Sequence, residues 1–305
     1  MKTFVKRALV LAAALSACAA QGWAAKSYSA RGLVLKVDKA HNSLVVSCEK
    51  IPGFMDAMAM PFDVRDPQEL SALAPGTMIE FTLVVDDDTS YVEKIHIHRY
   101  EGVEQDPMAA RRLKLMTTIA DGASAPPALK IGDKAPDFSL VDQNRQHVSL
   151  SQFSGKVVAI TFTYTHCALP NFCFRIANNF RRLQKRFADR LGNDLVFMTI
   201  TFDPAHDTPE VMAKYGKTWN SDPGSWKLLS GPTVEVEEVC NRFGISFWQD
   251  EGLMTHSLHT FLVDRRGNLV ADLEGNEYSA DQLGDLIQAM LTRTVAVAGR
   301  KASEQ

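Results

Sequence analysis

The strongest constraint on the fold is a change in the hydrophobic pattern near residue 100 of this 305-residue chain. Between residues 29 and 99, short segments that alternate or run apolar are separated by clusters of turn-forming residues. About five short strands in roughly seventy residues are typical of a small closed barrel. From residue 157 onward, strand-like segments alternate with helical ones, which predicts an α/β layer fold with a central sheet.

The pattern in the second half is clear enough to predict individual elements. Strands are expected at residues 157–163, 195–202 and 260–264, and helices at residues 174–191, 209–219, 234–243 and 280–292. In the first of these helices, the apolar residues predicted to face the core are Ile176, Phe180, Leu183 and Phe187. The basic residues between them are predicted to form a solvated face, namely Arg181, Arg182, Lys185 and Arg186, and a docking patch for an acidic partner is the alternative.

Composition places the chain among soluble globular proteins and excludes one class of partner. Hydrophobic residues make up 46% of the chain and charged residues 23%, and the formal net charge is −3. Because nucleic-acid binding requires a basic field, nucleic acid is excluded as a partner.

The amino terminus has the pattern of an export signal. Basic residues within the first seven positions precede an apolar stretch at residues 8–17, which is too short to span a bilayer. That stretch ends in Leu15-Ser16-Ala17-Cys18, which resembles the bacterial lipobox, and ordinary cleavage near residues 22–24 is the alternative. The mature protein is expected on the periplasmic or cell-envelope side, with Cys18 as a candidate lipid anchor.

Two cysteines stand where a buried strand gives way to a helix. Cys167 and Cys173 follow the apolar run at residues 157–162 and precede the first predicted helix. A helix N-terminus favours the thiolate, so a cysteine there is expected to ionise readily and to act as a nucleophile or as a soft-metal ligand. A structural disulfide, a redox couple and a metal site are all compatible with this pair alone.

Three separated motifs carry a family resemblance. Thr165-His166-Cys167, the segment TFDPAHDTPE at residues 201–210 and the segment HSLHTFLVD at residues 256–264 occur in the order seen in Sco/SenC proteins. The resemblance implies a thioredoxin-like fold and a membrane-tethered copper protein associated with assembly of the CuA centre of cytochrome c oxidase. It further implies that Cys167, Cys173 and His256 are the copper ligands.

The chemistry of these residue types agrees with that implication. Two thiolates and one imidazole suit copper, whereas a structural zinc site would usually have a fourth protein ligand. His166 and His259 are the candidates for a fourth ligand. One difference concerns the cysteine spacing, because the family typically places three residues between the cysteines and this chain has five.

The barrel region has its own group of soft donors. Met58 and Met60 alternate on a predicted strand, Met55 lies just before them, and Cys48 ends an earlier strand. The segment resembles the CusF-like periplasmic copper-binding barrel, an OB-like fold. The resemblance implies a second Cu(I) site in which Cys48 takes the position of a histidine and Phe54 or Met55 that of a capping tryptophan. We hypothesise that the barrel captures Cu(I) and passes it to the second domain.

Other conspicuous residues have simpler explanations. Residues 207–210 have the pattern of a helix start, with a capping side chain, a proline and an acid in the first turn. Cys240 is expected to be a core residue. Three histidines are expected at the surface, namely His41, His147 and His206.

Three functions are compatible with these residues, and all three share the same predicted domain boundaries. The leading one is a copper metallochaperone that turns over no substrate and delivers copper to a cuproenzyme. The alternatives are a thiol-disulfide oxidoreductase, with Cys167 attacking and Cys173 resolving, and copper sequestration for tolerance. The expected divisions are a signal at 1–24, a CusF-like barrel at 27–100, a linker at 101–128, a Sco/SenC domain at 129–293 and a tail at 294–305.

Overall fold

A computed structural model describes residues 25–86, 89–100, 129–167, 172–250 and 253–302. The predicted signal with its lipobox cysteine, the predicted linker and the last three residues of the predicted tail lie outside the described residues.

The first five strands close into the predicted barrel. They are β1 (Lys26–Asp38), β2 (Ser43–Cys48), β3 (Met58–Val64), β4 (Met78–Val85) and β5 (Ser90–Ile97), in the spatial order β1-β2-β3-β5-β4. All neighbours are antiparallel except β3 and β5, which run parallel. Side chains alternate between the barrel interior and its surface, and Leu44, Val46, Phe62 and Phe81 belong to the apolar interior.

The second unit is built on a seven-stranded sheet with the order β14-β13-β8-β9-β10-β6-β7. Its strands are β6 (Ser139–Asp142), β7 (His147–Ser149), β8 (Val157–Thr163), β9 (Leu195–Thr201), β10 (Trp226–Ser230), β13 (His259–Val263) and β14 (Leu269–Glu274). A separate hairpin pairs β11 (Phe247–Asp250) with β12 (Leu253–His256). Strands β8, β9 and β10 are parallel, and β8 and β9 are buried along their whole length.

Helices cover both faces of this sheet. They are α1 (Cys173–Arg186), α2 (Pro209–Trp219), α3 (Thr233–Phe243) and α4 (Ala280–Ala302). Val157 and Ala159 of β8 pack into an apolar cluster with α1 and α4, whereas Val158 and Ile160 pack into a second cluster with α3. This three-layer arrangement is the thioredoxin-like α/β architecture expected from the sequence, and the fold class is confirmed.

The two faces of α1 are as predicted. The predicted core residues are buried, whereas Arg182, Lys185 and Arg186 are exposed and Arg181 is partly exposed. At this solvated face Arg182 donates to Asp281 at 3.0 Å and Arg186 to Asp285 at 2.7 Å, and both acids are on α4.

The barrel contacts the second unit through α4 and the turn before it. Ser47 Oγ donates to Asp285 Oδ2 at 2.7 Å, and Glu277 is paired with Arg31 and, at 2.7 Å, with His98 Nε2. Leu33, Leu35 and Met78 of the barrel pack in the same apolar cluster as Leu283, Leu286 and Ile287 of α4. An apolar contact flanked by ion pairs therefore joins the two units.

Candidate metal centre

The two cysteines lie together at the carboxyl end of β8. Cys167 follows the strand by four positions and Cys173 is the first residue of α1, and the two side chains are 5% and 4% exposed. The Cys167 thiol raises the pKa of Cys173, so the five-residue spacing leaves the two thiols close enough to interact. No disulfide links the four cysteines in the described part of the chain.

A hairpin places the predicted histidine beside this pair. His256 ends β12, opposite Phe247 of β11, and its Nε2 lies 3.8 Å from Cys173 Sγ. The other ring nitrogen, Nδ1, lies 2.9 Å from the carbonyl oxygen of Ser257. Because a carbonyl oxygen can only accept, Nδ1 carries the hydrogen and the Nε2 lone pair faces the sulfur.

Burial keeps this imidazole neutral. Removal from solvent lowers the pKa of His256 to about 4, although the hydrogen bond to Ser257 acts in the opposite direction. The ring packs against two aromatic residues, with centroid distances of 4.4 Å to Phe202 and 5.9 Å to Tyr164. At neutral pH the Nε2 lone pair is therefore available to a metal ion without loss of a proton from the ring.

The expectation that the cysteines ionise readily is wrong for Cys173. Its pKa lies well above the usual value because its thiol is hydrogen-bonded to Cys167 and because it is buried. A hydrogen bond from Thr163 acts in the opposite direction without reversing the shift. Position at the first residue of a helix is thus outweighed by desolvation and by the neighbouring thiol.

Two tyrosines that the sequence reasoning overlooked border the thiols. Tyr164 is 3% exposed and its hydroxyl is hydrogen-bonded to Cys167, and burial raises its pKa. Burial likewise raises the pKa of Tyr215, which also interacts electrostatically with Cys173. The sequence pattern could have predicted the positions of Tyr164 and of Phe202, which packs on His256. Each directly follows one of two adjacent parallel strands, whose carboxyl ends meet at one edge of the sheet.

The two candidate fourth ligands are engaged elsewhere. His259 Nδ1 lies 2.8 Å from Asp272 Oδ1 across the β13–β14 pair. His166 Nε2 lies 3.2 Å from Asp203 Oδ2. Of the three predicted ligands, Cys173 Sγ and His256 Nε2 lie 3.8 Å apart, and the Cys167 thiol interacts with Cys173. Two sulfurs and one nitrogen form a set that suits copper. Metal–ligand bonds are about 2.0–2.3 Å long, so one ion can be bound by both Cys173 Sγ and His256 Nε2, which are 3.8 Å apart.

The barrel gathers three of its predicted donors on one face. Cys48 and Met58 are direct partners across the β2–β3 pair, and Met60 lies two residues along β3 on the same side. Met58 is 48% exposed at the barrel rim, whereas Cys48 is 1% exposed. Burial raises the pKa of Cys48 to about 12, so metal binding there must displace a thiol proton.

The remaining barrel positions are more loosely connected to this group. Met55 follows a tight turn, bridges Ile51 through the backbone and packs on the barrel core. The ring of Phe54 stacks on Tyr28 with the centroids 4.4 Å apart. Phe54 thus has an aromatic partner of its own at the place where the resemblance implies a capping tryptophan.

Comparison with known proteins identifies a family for each of the two units. The family model described as SCO1/SenC matches residues 128–292, which is more than half of the chain. The chain belongs to the SCO1/SenC family. A second model, described as copper binding periplasmic protein CusF, matches residues 27–97. Both resemblances seen in the sequence are confirmed, and with them copper as the metal.

The similar proteins each cover about half of the chain. The SCO2-like protein of Rickettsia typhi is 27% identical over 149 residues, which is 47% of this chain and 69% of that protein. Protein sco1 of Schizosaccharomyces pombe is 28% identical over 152 residues, which is 47% of this chain and 56% of that protein. The copper-bound structure of Bradyrhizobium japonicum ScoI is 27% identical with a TM-score of 0.43, covering 53% of this chain and 99% of that one.

Among the helices of the described ranges, none combines the length and the apolar character needed to cross a membrane.

Proposed function

We propose that this SCO1/SenC protein is an exported copper metallochaperone. Cys167, Cys173 and His256 hold copper, and the ion is passed to a cuproenzyme such as the CuA centre of cytochrome c oxidase. The proposal places the protein on the periplasmic or cell-envelope side, with Cys18 as a lipid anchor. The observation that carries it is the neutral His256 ring, whose Nε2 lone pair faces Cys173 Sγ at 3.8 Å while Nδ1 is held by Ser257.

The thiols favour metal binding over disulfide exchange. Reactive cysteines in oxidoreductases have lowered pKa values and solvent access. Here Cys173 is buried and its pKa is raised. A metal ion can bind despite the raised pKa because it displaces the thiol protons as it binds. Disulfide exchange, in contrast, requires a thiolate to be present before the reaction.

A second Cu(I) site in the barrel is part of the proposal. Cys48, Met58 and Met60 share one face of the β2–β3 pair, and Met55 lies near its end. Thiolate and thioether sulfurs select Cu(I). The contact between the barrel and α4 keeps the two copper-binding units associated, which supports a relay from the barrel to the Cys167/Cys173 centre. Sequestration for tolerance uses the same sites without onward delivery.

An anaerobic Cu(I) titration of the reduced protein, in competition with a chromogenic chelator, tests both sites. The wild-type chain is expected to bind about two Cu(I) ions, and Cys173→Ser and Met58→Leu are each expected to remove about one. His256→Ala is expected to lower the affinity of the Cys167/Cys173 centre by at least about tenfold, because one of three ligands is lost.

Cys240→Ala provides the matched control for the cysteine variant. Cys240 is also a buried thiol whose pKa is raised to about 12, and it lies on α3 in the core. Its replacement is expected to leave the copper stoichiometry unchanged. Full binding by Cys173→Ser, or the same loss in Cys240→Ala, would contradict the proposed centre.

A further inference from the structure

Two histidines and an aspartate converge at the surface beside the cysteine loop. His166 Nε2 lies 3.2 Å from Asp203 Oδ2, and His206 Nδ1 lies 2.9 Å from the same oxygen. The two imidazole rings meet edge to face with their centroids 5.1 Å apart. One ligand atom from each of the three residues lies within 4.8 Å of the others, a spread that one metal ion can bridge.

The main chain of Asp203 is held by hydrogen bonds. Asp203 N donates to Thr201 Oγ1 at 3.0 Å, and Asp203 O accepts from His206 N at 3.2 Å and from Asp207 N at 2.9 Å. The Asp203 side chain is only 13% exposed, whereas those of His166 and His206 are 50% and 68% exposed. A largely buried carboxylate on a hydrogen-bonded loop is therefore flanked by two accessible imidazoles.

The two loops that supply these ligands are tied together underneath. Asp207 is fully buried, and its Oδ2 accepts from Thr165 N at 3.0 Å and from Thr201 Oγ1 at 2.6 Å. Thr165 precedes His166, and Thr201 ends β9 just before Asp203. The relative position of the histidine loop and the aspartate loop is thus set by a buried hydrogen-bond network and not by the surface side chains alone.

The donor set differs in kind from that of the cysteine centre. Imidazole and carboxylate suit divalent ions, and among first-row divalent ions such sites bind Cu(II) most tightly. The ring of Tyr164 contacts a histidine of each centre, with centroid distances of 5.2 Å to His166 and 5.9 Å to His256. The soft and the borderline donors therefore border the same tyrosine.

We infer that His166, Asp203 and His206 form a further metal site that binds a divalent ion, with Cu(II) the preferred one, at the solvent edge of the cysteine centre. The imidazole nitrogens and the Asp203 carboxylate supply three ligands, and solvent or a partner's side chain completes the coordination. This site lies beyond the proposed function, which uses only sulfur donors and His256.

The test uses the full chain with Cys48, Cys167 and Cys173 replaced by serine, so that neither sulfur site keeps a thiol that could bind or reduce Cu(II). One equivalent of Cu(II) is added, the nitrogen hyperfine pattern is recorded by electron paramagnetic resonance, and the affinity is measured by competition with glycine. The expected result is a spectrum with two nitrogen ligands. His166→Ala and His206→Ala are each expected to remove one nitrogen and to lower the affinity at least about tenfold, and Asp203→Asn to lower it as well.

His41→Ala is the matched control. His41 is also an exposed histidine, and its Nδ1 lies 3.0 Å from Asp38 Oδ1, but this pair is on the barrel. Its replacement, like that of His256, is expected to leave the spectrum and the affinity unchanged. An affinity that survives both His166→Ala and His206→Ala, or that falls equally in His41→Ala, overturns the inference.

A second measurement covers the case in which the serine variant does not fold. The wild-type chain is first filled with Cu(I) at its sulfur sites, and Cu(II) is then added and observed in the same way. A Cu(II) signal that depends on His166 and His206 supports the site, and a signal indifferent to both overturns it. Because the Cu(I) stoichiometry is measured separately, failure of this site and failure of the metallochaperone proposal give different results.

Discussion

At the scale of single residues, Asp207 shows how a side chain outside the ligand set positions the centre. The helix-start pattern at residues 207–210 is confirmed, since Thr208 caps α2 and Pro209 is its first residue. Asp207 itself, however, is buried and accepts hydrogen bonds from Thr165 and Thr201, while its backbone oxygen accepts from Ser230 Oγ. It therefore connects three neighbouring strand ends at the edge where the cysteines lie.

Asp207→Asn is expected to lower the free energy of unfolding by about 2–3 kcal/mol. In the wild type both side-chain oxygens accept hydrogen bonds, whereas the amide of asparagine has one oxygen and brings two N–H donors that need buried partners. Chemical denaturation measures the loss. Asp56→Asn is the control, since Asp56 is 83% exposed and pairs with Lys50 at 2.9 Å, and a change within about 0.5 kcal/mol is expected there. Equal stability of Asp207→Asn and the wild type would show that this network is not stabilising.

At the scale of elements, the ends of helix α2 could be predicted from the residue types around them. The predicted bounds at residues 209–219 agree with the structure, because Thr208, Pro209 and Glu210 have the cap, proline and acid of a helix start. Strands β6, β7, β10 and β14 and the β11–β12 hairpin were not predicted. They are three to six residues long, and so short a segment carries too little hydrophobic periodicity to identify a strand.

Two threonine substitutions on α2 are expected to have opposite effects. Thr208 Oγ1 accepts from Val211 N at the start of the helix, so Thr208→Ala should destabilise the protein by roughly 0.5–1 kcal/mol. Thr218 is exposed in the last turn and its hydroxyl returns to Lys214 O, so Thr218→Ala should be neutral or slightly stabilising. Thermal unfolding of both variants checks this, and a larger loss in Thr218→Ala would refute the capping role.

At the scale of the whole molecule, the contact between the barrel and α4 has a charged component centred on Glu277. Burial would raise the pKa of Glu277, but the hydrogen bond and charge of Arg31, together with His98, hold that pKa below the ordinary value of 4.5. The unfolded chain therefore binds this proton more readily than the folded one. The resulting stabilisation is fully present above about pH 4.5 and is lost as the pH falls through the lowered pKa.

Glu277→Gln is accordingly expected to reduce stability by about 1 kcal/mol at neutral pH and to remove part of the loss seen on acidification. Urea denaturation at a series of pH values, wild type against variant, provides the measurement. Glu238→Gln is the control, since Glu238 is 67% exposed and pairs with Arg242 at 3.8 Å within α3. A difference between wild type and Glu277→Gln that does not shrink below pH 4.5 would contradict the assigned role.

The copper centre combines features that could be predicted from residue types with features that could not. The residue types and their order predicted a copper family, and the confirmed SCO1/SenC and CusF matches agree. The spacing of Cys167 and Cys173 left the geometry open, and the inference of a readily ionised thiol from helix position was wrong for Cys173. The position of Cys173 in its helix is a local property. The burial and the neighbouring thiol that raise its pKa depend on how other parts of the chain pack around the site.

Local features could be read from the order of the residues: the strand and helix periods, the cap of α2, and which side chains are soft enough to bind copper. Three further features depend on the folded chain: His256 presents Nε2 to Cys173, Cys48 faces Met58, and α4 supplies acids to both α1 and the barrel. The physical reason is that periodicity and ligand chemistry are properties of neighbouring residues. Orientation, protonation and docking depend on burial and contacts between segments far apart in the chain.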